Sequence, residues 1–505
     1  MRLTYLVLSL ALAIPASSQT PEQKTARYLD SIRKQPSLLL AFLHDMPKGG
    51  DLHNHLYGAI YAEDLIDFAA TDNFCVDRTT SHLLSPPCDS CAKYTAKPAV
   101  RCAYDDQVLY NQMIDAWSMR NWHSGDESGH DHFFATFDKF GLAAGNNIGN
   151  SIATVIDRAA REHVQYIELM HTADGSAAAD LGLKLGWDAD YVKLREKLLS
   201  GGLKEIVTAT SQTLTEDEAK VHARLKCGTP EAAPGCNITL RYLYQVLRGL
   251  PHEAVFAQIL LGFELASTDP RFVGLNLVMP EDWYVPTHDF NEHMAMMDYL
   301  HGVYPKVHIT LHAGELAIGL VKPEDLSFHI RASIERGHAE RIGHGVSVMM
   351  EKDAVGLLKE MAARNVLVEI NLTSNDLILN VSGDDHPLPS YIKYGVPVAL
   401  SSDDEGVSRS DMTHEYLRAA EGYALTYSQL KRMTRQSLEH SFLPGQSLWA
   451  STGSSSKDEF RLVGVCAGDV AGKPTHACSE FLSENERARE QWKLEQSFTE
   501  FEKKF

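Results

Sequence analysis

Two histidines one residue apart, His53 and His55 in the segment DLHNHL, are the first residues of the chain whose type and spacing suit metal chemistry. On an extended segment, side chains two apart project to the same face, so both imidazoles face one point. Further groups of the same character follow: His312 and Glu315 in LHAGE, His344 in RIGHG, and Asp403 with Asp404 in LSSDD. Three imidazoles (His53, His55, His312) and the carboxylate of Asp403 make an N₃O set. That set suits one Zn²⁺ per chain and leaves a position for water. Such an ion lowers the pKa of bound water towards ~7. A base must take the released proton, and an acid must protonate the leaving end of a substrate. His344 is the candidate base, with Asp404 orienting the nucleophile beside it. Glu315, one short turn past His312, is the candidate acid.

These residues act together only if a scaffold brings them together. Apolar runs rich in Val, Ile and Leu recur at 166–170, 238–244, 272–278, 307–312, 340–345, 366–372 and 397–402, after the DLHNHL segment. Most lack strict alternation, as expected of parallel strands covered on both faces. Helical stretches lie between them. Eight β-α units in series predict an α/β fold, a (β/α)₈ TIM-type barrel. The candidate residues then stand at the C-terminal ends of the first, fifth, sixth and eighth strands, where barrel active sites are built. The barrel is assigned to 46–442, behind a helical arm at 19–45 that breaks near Pro36. A Cys-, Pro- and Asp-rich insertion after the first strand occupies about 72–130. It is a candidate lid, homodimer contact or partner site. Residues 443–505 form a C-terminal extension, with a Ser/Gly-rich surface loop at 451–456 and a charged terminal helix from 480.

The first 18 residues carry one charge, Arg2, then an apolar run from Leu3 to Ile14 and the small residues Ala16 and Ser18. This reads as a signal peptide cleaved before Gln19, too short for a membrane span. The expected location is secreted or periplasmic, with no membrane span. Eight cysteines in an exported chain favour disulfides. Cys227 with Cys236, and Cys466 with Cys478, each close a short loop. Cys75, Cys88, Cys91 and Cys102 leave three connectivities open. Pro87, Cys88 and Cys91 match half of a zinc-deaminase P-C-x-x-C signature, but the required H-x-E upstream is absent, so that reading is rejected. Lys and Arg number 47 against 67 Asp and Glu, a net charge of −20. That balance argues against nucleic acid or an anionic membrane as partner. The run from His123 to His132 reads as a polar loop at a pocket rim, and His386 as a turn residue. Phe134, Phe137 and Phe140 stand at helical spacing, so most are core and one lines the pocket.

MPKGGDLHNHLYGAI, LHAGE, RIGHG, EINLTSN and LSSDD, in this order, resemble the motifs of the adenosine/AMP deaminase family. The resemblance spans roughly 46 to 442 and includes FFATFDKF, VGLNLVMPED and RQSLEHSFL. The signal peptide, the Cys-containing insertion and the extended C-terminus are similar to the secreted adenosine-deaminase-like branch. The resemblance implies a mononuclear zinc barrel with the metal on His53, His55, His312 and Asp403. It makes Glu315 the proton donor to the purine, His344 the base or electrostatic stabiliser, and Asp404 the partner of the attacking water. It sets the substrate against His55, Gly314, Met279 and Asp404. The implied reaction is hydrolytic deamination of adenosine, with 2′-deoxyadenosine beside it, to inosine and ammonia. Another 6-aminopurine substrate, or a silent growth-factor-like relative, is the alternative. Two departures bear on the substrate: Met279 stands where the family has a glycine whose backbone contacts the purine, and Asn276 where it has Asp.

Overall fold

In the computed structural model, residues 19–92, 94–125, 127–450, 460–468 and 472–505 are described. The expected signal peptide and the 451–456 loop lie outside them. Eight strands, all parallel, run in sequence order around one sheet: β1 Gly49–His55, β2 Val164–His171, β3 Thr239–Leu247, β4 Phe272–Val278, β5 His308–Ala313, β6 Arg341–His344, β7 Leu367–Ile370 and β8 Val398–Leu400. Every strand predicted from the sequence is present. The ring closes past the end of β8. There His55 N–H donates to Asp403 O (3.2 Å) and Asp403 N–H to His53 O (2.8 Å), pairing Asn54 with Asp403 in parallel. The fold is a TIM-type (β/α)₈ barrel.

The strands are buried almost throughout, and β4 is buried at all seven positions. This explains their continuous apolar character, because each faces the barrel interior on one side and the helical ring on the other. The arm forms two helices, Pro21–Ile32 and Pro36–Asp45, and each starts with proline at the first helical position. The first is capped by Thr20 and Gln23 in a reciprocal box. Between β2 and β3 the chain adds helices Ala177–Leu185, Tyr191–Leu198 and Lys204–Arg224. The insertion holds a two-stranded hairpin, Cys75–Val76 with Leu83–Leu84, and the helix Gln107–Ala116.

Four disulfides join Cys75–Cys88, Cys91–Cys102, Cys227–Cys236 and Cys466–Cys478. The last two are the predicted pairs, and the first two select one of the three open connectivities. The terminal segment differs from a single charged helix. It breaks at Asn485 into His476–Glu484 and Glu486–Glu502. The second helix buries Leu494, Phe498 and Phe501 along one apolar stripe against the body, and buries Trp492 on its other side in a small cluster with Cys466, Cys478 and Leu482. No helix among the described residues is long and apolar enough to cross a membrane.

Candidate active site

At the C-terminal mouth of the barrel, His53, His55, His312 and Asp403 converge. His55 Nε2 lies 3.2 Å from His312 Nε2, and Asp403 Oδ1 lies 3.4 Å from Nε2 of both His53 and His55. The opposite ring nitrogens are all engaged. His53 Nδ1 bonds Glu369 Oε2 at 2.6 Å, His55 Nδ1 bonds Gln245 Oε1 at 2.8 Å, and His312 Nδ1 bonds Asn276 Oδ1 at 3.0 Å. An acceptor on each Nδ1 puts the proton there and leaves each Nε2 lone pair aimed at the common point. His53 Nε2 is buried with no hydrogen-bond partner. An orphan of this kind among three imidazoles and a carboxylate fits a metal ion such as Zn²⁺.

The electrostatics favour positive charge at the same point. Burial lowers the pKa of His55 to about 4, and burial with the neighbouring histidines takes His312 well below its usual value. Burial opposes protonation of His53 too, but Asp403 and Glu369 overcome it and raise its pKa to about 10. Asp403 is held far below the usual carboxylate range: burial opposes this, but His53, 3.4 Å away, and the surrounding imidazoles outweigh it. A cation seated between these groups would answer the same field.

Two further groups face the cluster. His344 Nδ1 lies 3.6 Å from Glu315 Oε1, and its Nε2 lies 3.8 Å from Asp403 Oδ2. Burial lowers the His344 pKa to about 3, which keeps the ring neutral. Burial first, then the charges of Asp403 and Glu281, raise the Glu315 carboxyl well above its usual value. Burial and the adjacent Asp403 do the same to Asp404. Asp404 Oδ1 is buried without a partner and sits where a Cβ on Gly58 would stand, 1.6 Å away. Only glycine at position 58 leaves room for it. His344 (φ +65°), Asp403 (φ +58°) and Met279 (φ +90°) all hold left-handed backbone without being glycine. Strain of this kind gathers at functional sites, where the surrounding fold enforces it.

Above these groups lies a cavity of about 660 Å³, within the usual range for small-molecule sites. Phe134, Phe137, Met279 and Trp283 give it apolar walls, and His171, Gln245, Asp131 and Asp138 give it polar ones. No Lys or Arg lines it among the described residues. Of the residues assigned to substrate, His55, Met279 and Asp404 reach this wall. Gly314 stands off it, and its amide donates to Glu281 Oε1 at 3.1 Å. The polar run reaches the rim as expected, but its end is helical and not loop: Ser128 caps a helix over Gly129–Ala135, from which His130 lines the cavity and bonds Asp282 Oδ1 at 2.9 Å. Phe140 is fully buried core, as its spacing predicted, but two of the three phenylalanines, Phe134 and Phe137, line the cavity where one was expected, because both stand on the cavity side of their helices.

Several supporting residues carry no readable sequence signal. Glu369 and Gln245 hold His53 and His55 from other strands. Asn276, singled out above only as a departure, accepts from both the backbone N and Nδ1 of His312 (3.0 Å each). His386 is not a free turn residue. It is buried, and its Nε2 bonds Asn375 Oδ1 while Asn375 Nδ2 reaches His344 Nδ1 at 2.9 Å.

The sequence profile of the adenosine deaminase family matches residues 121–448, more than half of the chain. The chain belongs to the adenosine deaminase family. An adenosine deaminase of Salmonella typhi is 38% identical over 137 residues, 27% of this chain and 38% of that protein. One from Escherichia coli O1:K1 is 36% identical over 140 residues, 28% of this chain and 39% of that protein. The chain thus aligns with well under half the length of these relatives. In fold it is similar to the N6-methyl-AMP deaminase of Arabidopsis thaliana (TM-score 0.52, 18% identity, covering 80% of this chain and 94% of that one). The Arabidopsis protein ADAL complexed with IMP gives a TM-score of 0.51 at 19% identity, covering 79% of this chain and 93% of that one.

Proposed function

We propose that this member of the adenosine deaminase family is an exported, zinc-dependent aminohydrolase that converts adenosine, and 2′-deoxyadenosine, to inosine or deoxyinosine and ammonia. The observation that carries the reading is the convergence of three Nε2 atoms and Asp403 on one point, with Glu315 and His344 beside it. His53, His55, His312 and Asp403 would hold the ion. When bound, it supplies a water of lowered pKa. His344, a neutral imidazole facing the same point, would take a proton from the attacking water. Asp404, with its unpartnered Oδ1, orients the attacking oxygen toward C6 of the purine. Glu315 stays protonated at neutral pH because burial and neighbouring carboxylates disfavour its anion. It donates that proton to ring N1 as C6 becomes tetrahedral; the proton taken up by His344 then passes to the amino group, the C6–N bond breaks to release ammonia, and the C6 hydroxyl proton restores Glu315. Phe134, Phe137 and Trp283 supply the apolar sides that hold the base and keep bulk water out.

The lack of Lys or Arg on the cavity wall, with Asp131 and Asp138 on it, favours a nucleoside over a nucleotide, since a phosphate needs a basic cradle. The four disulfides support an oxidising, extracytoplasmic location. The test uses residues 19–505 with adenosine, 2′-deoxyadenosine, AMP and adenine, following ammonia before and after chelation and zinc restoration. The expected result is zinc-dependent release from the two nucleosides and at most slow release from AMP. Glu315→Gln should retain the ion and lose most turnover. A variant of Glu315 that turns over normally would overturn its assigned role.

A further inference from the structure

Glu281 is buried to 1% exposure just past β4, and its carboxylate is fully used. Oε2 accepts from Glu315 N at 2.7 Å, and Oε1 accepts from Gly314 N at 3.1 Å and from His329 Nδ1. The two backbone amides belong to the turn that presents Glu315. That turn rests on Gly314 at φ +75°, where a Cβ would lie 2.7 Å from Ile330 Cδ1. The turn therefore has no side chain of its own to fix it. His329 is held flat against Phe290 (ring centroids 4.1 Å apart, 6° between planes), so the carboxylate is braced from behind. Arg248, at the end of β3, completes the arrangement. Its Nη1 donates to His312 O at 3.1 Å, while Nε and Nη2 are buried and unbonded, with Glu281 and Glu315 as the charges that act on it. The backbone reaches Glu281 through the left-handed Met279 and Pro280, which turn the chain back beneath the end of β5.

We infer that Glu281 is the positioning residue for Glu315: braced by His329, it clamps the Gly314 turn and so fixes where the proton donor stands. The inference rests on the deaminase reading for its kinetic consequence, and on the turn geometry alone for its structural one. A carboxylate accepting two consecutive backbone amides fixes the turn's rotation as well as its place. A displacement of about 1 Å at a reacting group is enough to cost roughly 100-fold in rate.

The test combines Glu281→Gln, Glu281→Ala and Glu315→Gln, singly and paired. Glu281→Gln keeps an oxygen acceptor, so it should lower kcat less than Glu281→Ala, with roughly 10–100-fold expected for the latter. In the Glu315→Gln background, either change should cost less than about twofold further, because its effect runs through Glu315. Amide hydrogen exchange is read in parallel. The peptide containing Gly314 and Glu315 should exchange about tenfold faster or more in Glu281→Ala, with peptides from β1 and β8 unchanged. Additive losses in the double variants, or unchanged exchange at Gly314 and Glu315, would overturn the inference. If the wild-type protein releases no ammonia from any purine, the deaminase reading falls, and the exchange measurement still decides the clamp.

Discussion

The replacement Glu369→Gln separates what holds a metal-facing imidazole from what merely surrounds it. Glu369 is fully buried. Its Oε2 bonds His53 Nδ1 at 2.6 Å, and its Oε1 accepts from Arg341 Nε at 2.7 Å and Thr310 Oγ1 at 2.9 Å. Glutamine keeps the volume but turns one oxygen into a donor. If the new NH₂ faces Arg341, two donors confront each other. If it faces His53, Nδ1 must become the acceptor and the ring proton moves to Nε2, the atom aimed at the metal. Either orientation also leaves the buried Arg341 with Glu168 as its remaining carboxylate partner. Removing one partner of a buried ion pair costs about 3–5 kcal/mol. Losing an outer-shell partner of a ligating histidine costs about 10–100-fold in metal affinity, which is roughly 1.4–2.7 kcal/mol. Competition with a chromophoric chelator measures the affinity, and urea unfolding of the chelated protein measures the stability. Zinc affinity within about twofold of the parent would refute the claim that Glu369 sets the His53 tautomer.

Three further outcomes follow from the structure. Glu415 is buried to 1% exposure, and burial raises its pKa from 4.5 to about 7 against the pull of Thr373 and Arg418. A raised folded pKa gives stability that is complete below about pH 4.5 and lost as pH rises through 7. Glu415→Gln should therefore gain on the parent between pH 5 and pH 8, by up to about 3 kcal/mol; equal urea midpoint shifts at both pH values would count against it. Gly58→Ala would place a methyl 1.6 Å from Asp404 Oδ1, so ammonia release should collapse, and normal turnover would show that Asp404 is free to move. Breaking the Cys466–Cys478 link, whose cysteines are 12 residues apart, should destabilise the protein by about 3 kcal/mol in urea, while turnover of the folded fraction stays unchanged.

Much of the scaffold was legible because its signals are local. Strands buried on both faces must be apolar throughout, so each could be read from its own few residues. The histidine pair at 53 and 55, HAGE and SSDD were legible for the same reason: each is a short segment with several chemistry-bearing groups. The partners of those groups were not. Gln245 is a single polar residue that nothing in its own segment sets apart, and Asn276, Asn375 and His386, each in a segment already noted, carry no local sign of the group they hold. Glu281 appeared only at the end of a run noted for its departures. The charged helix at 480–505 concealed its buried stripe, since Leu494, Phe498 and Phe501 stand among Glu, Lys and Arg.

By itself, then, the sequence determined the donor types, the order of the strand ends that carry them and the barrel they imply, because residue type and spacing along one segment dictate local geometry. The tertiary structure decided which nitrogen of each histidine faces the common point, which carboxyls burial drives toward the protonated form, and which of the three cysteine connectivities is formed. Those outcomes depend on the register between strands far apart in the chain and on burial. A tautomer is set by the group that happens to lie opposite Nδ1, and a pKa by the water and charges that the fold removes or brings near.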